Sequence, residues 1–313
     1  MPTTKIEKKK QIKVSEQVKN KLKLIVKLAV TGLAMWLVST KVDLGEVAVA
    51  ITKAHPGYLL LALLFFVLSK VVSAVRLRYF FREIDVHLSH IYNFRLYLIG
   101  MFHNLYLPGG VGGDGYKVYL LNKESQKPVK KLVSSVLFDR ISGLVALLFL
   151  ALVLSYISSI RMIFNEFEVY ALILLILAYP GYIIITKKLF PGYHKNLYKT
   201  SALSLLTQNM QLVCTYFLLR SLGVENQILE YQALFMLASI ATIVPITFGG
   251  IGVREMVFIA SYQVLALDKG IGVSFSLLFF AITALVSFSG AFLRAKTKGK
   301  YEVRNPKDEV ELS

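Results

Sequence analysis

The chain has 313 residues, 55% of them hydrophobic and only 18% charged, with a formal net charge of +17. A soluble domain is typically about 45–50% apolar and about 25% charged; with a positive mean hydropathy, this composition excludes an ordinary soluble globule and describes a polytopic membrane protein. The surplus of Lys and Arg falls in short segments between apolar runs, a distribution that encodes topology and argues against nucleic-acid binding.

Residues 1–21 are lysine-rich and read as a cytoplasmic segment. They lead into a full-length apolar run rather than the short apolar core of a signal peptide. A first span is expected from about Leu22 to Thr40 and a second from about Tyr58 to Val75, closed by Arg76, Arg78 and Arg82. A broken element follows, with a leading arm at about Ile91–Leu107, a break at Pro108–Gly115 and a returning arm at about Tyr116–Leu121. The third, fourth and fifth spans are expected near Leu132–Ile157, Val169–Thr186 and Ala202–Leu222. A second broken element has arms at about Tyr231–Val244 and Val253–Leu267 around Pro245–Gly252, and a sixth span runs from about Ile271 to Leu293. The single cysteine, Cys214, lies inside an apolar run, so a disulfide framework is excluded.

The two breaks match. Pro108, three residues, Gly112-Gly113, one residue, Gly115, one residue and Lys117 align with Pro245, three residues, Gly249-Gly250, one residue, Gly252, one residue and Arg254. Proline ends the incoming helix and glycine permits a tight turn. Broken helices at membrane depth are tolerated where they are buried in protein or line a wet cavity, and a matched pair in two halves points to a carrier-type site. The competing reading is close helix packing through small residues. A six-residue returning arm is far too short to cross a core of about 30 Å, so re-entrant hairpins are the economical reading, with short crossing helices left open.

Each half reads span, span, hairpin, span. Three crossings per half place the halves in opposite orientations. The expected fold is therefore an all-α polytopic membrane protein built as an inverted repeat, residues 22–157 and 158–293, with hairpins at 91–121 and 231–267 and a polar tail at 294–313. Basic clusters fall at the N-terminus, after spans two, four and six and after the first hairpin, while the other loops carry acids or balanced charge. That pattern puts both termini in the cytoplasm of a cell-membrane protein.

Unpaired amides at the start of each returning arm, with Lys117 and Arg254 close by, suit an anion such as a lipid phosphate. Asp139 and Arg140 lie inside the third span, where buried charge is expensive and usually functional. As neighbours on a helix they do not face each other. Asp139 is expected to answer Lys117, and Arg140 to answer Glu255 or a phosphate unless it snorkels to the surface. Asp114 is expected to cap its arm, Glu255 to balance a base or couple protons, and Arg95 to line a basic cavity. His103 and Asn104 are expected to meet carbonyls freed by Pro108. Gln208, Asn209 and Gln211 either line the cavity or bond neighbouring helices. No nucleophile grouping, nucleotide loop or metal spacing is present, so neither an enzyme nor a cofactor is expected.

The stretches Asn104-Leu-Tyr-Leu-Pro108-Gly-Gly-Val-Gly112-Gly113-Asp-Gly115-Tyr-Lys117, Phe138-Asp139-Arg140-Ile-Ser-Gly143 and Pro245…Gly249-Gly250-Ile-Gly252-Val-Arg254-Glu255 resemble the lysylphosphatidylglycerol synthase transmembrane-domain family of bacteria and archaea. The resemblance implies a flippase-like membrane domain without the soluble synthase domain. Lys117 stands where the family often shows arginine, giving up bidentate phosphate geometry. Together these readings lead to a lipid transporter for an anionic phospholipid or polyprenyl-phosphate-type lipid. The alternative is a membrane-embedded enzyme or accessory subunit of glycolipid or envelope synthesis. Expected partners are membrane lipids with anionic headgroups; a second copy of the chain and a separate lipid-modifying enzyme stay open.

Overall fold

The structure, a computed structural model, describes residues 43–106, 112–161, 168–243 and 250–293, with scattered positions between 25 and 40. Most of the expected first span, both Pro-containing tips (107–111 and 244–249, with Gly249) and the basic tail lie outside the described residues. Among the described residues all regular structure is helical.

The helices are α1 (Leu44–Thr52), α2 (Pro56–Arg82), α3 (His90–Tyr106), α4 (Gly112–Ser125), α5 (Val129–Ile157), α6 (Glu168–Leu189), α7 (Leu197–Ser221), α8 (Ile228–Ala241), α9 (Val253–Leu265) and α10 (Lys269–Phe288), the last continued by a 3₁₀ turn at Ser289–Ala291. Five of them, α2, α5, α6, α7 and α10, are long and apolar enough to cross a membrane. They match spans two to six, and the protein is a multi-pass membrane protein. Their ends follow local chemistry. Pro56 opens α2, where its missing N–H costs nothing. Asp268 caps α10 by accepting the Ile271 N–H at 2.8 Å.

Two boundaries differ from expectation. The stretch after Thr40 is not plain loop: Asp43 accepts the Gly45 N–H at 2.7 Å and starts α1, a helix too short for a span-length window to register. The returning arm of the first break begins at Gly112 rather than Tyr116, so Gly112, Gly113 and Gly115 all sit inside α4. Glycine is a poor helix former, but here close packing overrides propensity, as shown below.

The pairs α3–α4 and α8–α9 are antiparallel hairpins. In the first, Asn104 meets Gly113, Tyr97 meets Lys117 and Tyr92 meets Glu124. In the second, Phe235 meets Arg254, Tyr231 meets Phe258 and Gln227 meets Leu265. The described arms hold 17, 14, 14 and 13 residues. At about 1.5 Å per residue, each is shorter than a core of about 30 Å.

Packing centres on α2 against α7. Around that axis contacts recur in matched pairs: α5 on α8 and α10 on α3; α4 on α5 and α9 on α10; α2 on α5 and α7 on α10; α2 on α3 and α7 on α8. The loops gather at two ends. At one, Glu83 accepts from the backbone and side chain of Asn196 at 2.8 Å, Lys127 lies 3.6 Å from Asp85, and the Tyr193 hydroxyl donates to the Lys131 carbonyl. At the other, the His55 N–H donates to the Ser221 carbonyl, Ser159 donates to Glu230, and Tyr231 meets Asp268. One apolar core joins Phe66, Leu218, Phe235, Phe275 and Phe279; another joins Leu77, Phe80, Phe81, Leu121, Leu132 and Phe138.

Candidate functional site

The first hairpin is closed by a backbone contact that only glycine permits. A Cβ on Gly113 would stand 1.9 Å from the Gly100 carbonyl oxygen, so α3 and α4 touch main chain to main chain. The stem of Lys117 crosses over Gly100, where a Cβ would lie 2.1 Å from Lys117 Cε. The Asn104 Oδ1 accepts the Gly113 N–H at 2.9 Å, satisfying one of the amides that the start of a helix leaves free. His103 contacts its own helix through the Ile99 carbonyl and stacks on Tyr116 at 4.5 Å.

This packing delivers a three-charge cluster. Lys117 Nζ lies 3.0 Å from Asp114 Oδ1 and 5.0 Å from the Tyr97 ring, and Arg140 Nε from α5 reaches Asp114 Oδ2. Lys117 is 5% exposed, whereas the Arg140 side chain is 43% exposed. Asp114 is therefore no simple cap. It is the carboxylate that holds two cations from two helices.

Among the described residues Asp139 forms an ion pair with Arg76 and not with Lys117. It accepts from Arg76 Nε at 2.8 Å, both side chains being nearly buried. Arg76 also donates to Ser204 Oγ at 3.0 Å, and Ser204 meets Ser142 at 2.7 Å, so the network ties α2, α5 and α7 together. Arg76, expected to close span two, lies within α2, six residues before its end. The only sequence signal for this is an arginine inside a continuous apolar run.

In the second hairpin, Gly250 and Gly252 turn the chain with φ of +83° and +89°, where an L side chain is strained. Arg254 follows in the first turn of α9 and is 8% exposed. Its guanidinium carbon stands 5.2 Å from the Phe235 ring and 5.3 Å from the Phe279 ring. Among the described residues its Nε is buried without a hydrogen-bond partner and no carboxylate pairs with it. Glu255, 1% exposed, is engaged elsewhere. One of its oxygens accepts the Gly252 N–H and the other accepts from Ser276 Oγ at 2.6 Å. It does not reach Arg140.

The remaining expected site residues separate from these clusters. Arg95 is exposed on α3. Gly115 faces open space. Gln208 bonds the Gly143 carbonyl at 3.3 Å and Asn209 bonds its own helix at Leu205. Lys70, a further cation within α2, lies 4.3 Å over the Phe66 ring. A crevice of about 260 Å³ between α5, α6 and α8 is lined by Leu152, Tyr156, Leu174, Leu175 and Leu237, and by none of the expected headgroup-binding residues. Among the described residues no group of three His, Cys, Asp or Glu side chains could hold a metal.

The geometry thus gives a membrane bundle with two hairpins, each bearing a buried cation at the same offset from its glycines. The chain is similar to a UPF0104 membrane protein of Pyrococcus horikoshii, at 23% identity over 72% of this chain and 82% of that protein. Residues 24–290 match the model of the family described as "Lysylphosphatidylglycerol synthase TM region". The match spans the helices and both hairpins, and the chain belongs to that family.

Proposed function

We propose that the protein moves an anionic lipid across the cell membrane, with the headgroup passing between the two hairpins while the tails stay in the bilayer. The observation that carries this reading is the pair of buried cations, Lys117 and Arg254, set at equal spacing beyond the glycines of two hairpins in a membrane bundle. A charge buried among membrane helices is costly and usually marks a substrate or ion path. A phosphate diester is the membrane component whose charge suits such residues.

The paired helix contacts support an inverted repeat, because exchanging the two halves maps each of those contacts onto another. The grouping of the loops supports hairpins that enter from opposite faces: α3 begins at the end holding Glu83 and Lys131, and α8 begins at the end holding Glu230 and Asp268. The first of those ends also carries Lys123, Lys127, Lys130, Lys187 and Lys188. Positive loops favour the cytoplasm, so this end, and both termini with it, is assigned to the inner face. The reading needs transport and no chemical turnover.

Reconstitution in liposomes tests it. The wild-type protein is expected to equilibrate a fluorescent phosphatidylglycerol between leaflets. Arg254→Gln and Arg140→Gln are expected to reduce the rate at least tenfold at unchanged expression. Wild-type rates in both variants would refute the proposal, as would turnover of a lipid-linked sugar with no lipid movement.

A further inference from the structure

The two hairpins share a motif but differ at one position within it. Aligned on their glycines, Asp114 of the first corresponds to Ile251 of the second, and Lys117 to Arg254. The structure shows what that difference does. Asp114 supplies the first hairpin with its own anion, 3.0 Å from Lys117. Ile251 supplies none, and among the described residues Arg254 is left with two aromatic rings, a buried Nε without a partner and a neighbouring glutamate whose oxygens are both engaged. A Cβ added to Gly250 would stand 3.5 Å from Arg254 Nη2, so the guanidinium lies against the bare turn at the start of α9. Helix starts carry a partial positive charge, which adds to that of the arginine.

We infer that the two hairpins are functionally unequal. The phosphate-bearing ligand binds at Arg254 in the second, while the first is neutralised internally by Asp114. Cation–π contacts recover only part of the cost of burying an unpaired charge. What the second hairpin lacks is what a phosphate brings: two oxygens that a planar guanidinium can hold side by side. Position 251 therefore decides whether the hairpin accepts an external anion. This deepens the transport reading and rests on it for the lipid source of the phosphate. Its test is binding rather than movement, so either can fail alone.

The experiment titrates purified full-length protein in detergent with short-chain phosphatidylglycerol, with inorganic phosphate and uncharged diacylglycerol as parallel probes. The wild type is expected to bind one phosphatidylglycerol and no diacylglycerol. Ile251→Asp places a carboxylate at the position aligned with Asp114, in the turn that precedes α9, and affinity is expected to fall roughly tenfold to a hundredfold, the range for losing a charged hydrogen-bonding partner. Ile251→Asn, polar but uncharged, is expected to keep affinity within about threefold, the ordinary scatter among context-dependent effects of a surface-like change. Equal binding by wild type and Ile251→Asp, or equal loss in both variants, overturns the inference. Tight, Ile251-sensitive binding of inorganic phosphate alone would assign the site to free phosphate and overturn its lipid source. Asp114→Asn gives an independent check if Ile251→Asp fails to fold. It strips Lys117 of its carboxylate and is expected to raise the bound phosphatidylglycerol from one to two per chain. A ratio that stays at one overturns the assigned role of Asp114.

Discussion

Asp139→Ala is expected to destabilise the protein by roughly 3–5 kcal/mol, the cost of removing one partner of a buried ion pair. Asp139 and Arg76 have 11% and 7% of their side-chain surface exposed, at 2.8 Å separation. Without the carboxylate, the Arg76 guanidinium keeps, among the described residues, Ser204 as its side-chain acceptor within a packed three-helix junction, close against Gly143. Loss of monomeric protein on heating in detergent measures the effect. Replacing both partners, as Arg76→Leu with Asp139→Leu, removes the uncompensated charge, and stability should return most of the way to wild type. Asp139→Ala with wild-type heat resistance would show that the pair does not hold α2, α5 and α7 together.

Gly113→Ala should cost about 3 kcal/mol, the upper end for overpacking, because the clash is with backbone rather than with a side chain that can move aside. The added methyl would meet the Gly100 carbonyl oxygen at 1.9 Å, its carbon at 2.6 Å and its Cα at 2.8 Å. The two arms would have to part, drawing Lys117 away from its path over Gly100 and breaking the Asn104–Gly113 hydrogen bond. Gly115→Ala is the internal control. It lies two residues further along α4 with nothing within 4 Å of an added Cβ. It should stabilise the helix by about 0.5–1 kcal/mol through reduced chain entropy. Thermal stability of the two variants decides the matter: equal effects would mean that the glycines act through flexibility rather than close approach.

The comparison of these glycines shows where sequence reading works and where it stops. Continuous apolar runs carry span identity by themselves, so spans two to six were legible, although the helix of span two runs to Arg82 rather than Val75 and that of span five starts at Leu197 rather than Ala202. The paired Pro–Gly breaks were legible because turn chemistry is local. Which glycine is needed was not legible, since Gly113 and Gly115 differ only in what stands opposite them, thirteen residues back on another helix. The same holds for charge pairing. Lys117, Arg254 and Glu255 belong to the hairpins and Arg140 reaches the first of them through Asp114, but the pairing of Asp139 with Arg76 depends on residues 63 apart in sequence. The engagement of Glu255 by Ser276 depends on residues 21 apart. Arg76 was missed because an arginine near the end of an apolar run looks like a loop residue until its partner is seen.

The central claim is that an anionic headgroup occupies the second hairpin at Arg254. An experimental density map of the protein in a bilayer disc containing phosphatidylglycerol tests this most directly. The account predicts phosphate density within hydrogen-bonding distance of the Arg254 guanidinium, with Asp114 still held between Lys117 and Arg140. A dry Arg254 packed only against Phe235 and Phe279, with the phosphate seated instead on Lys117, would contradict it.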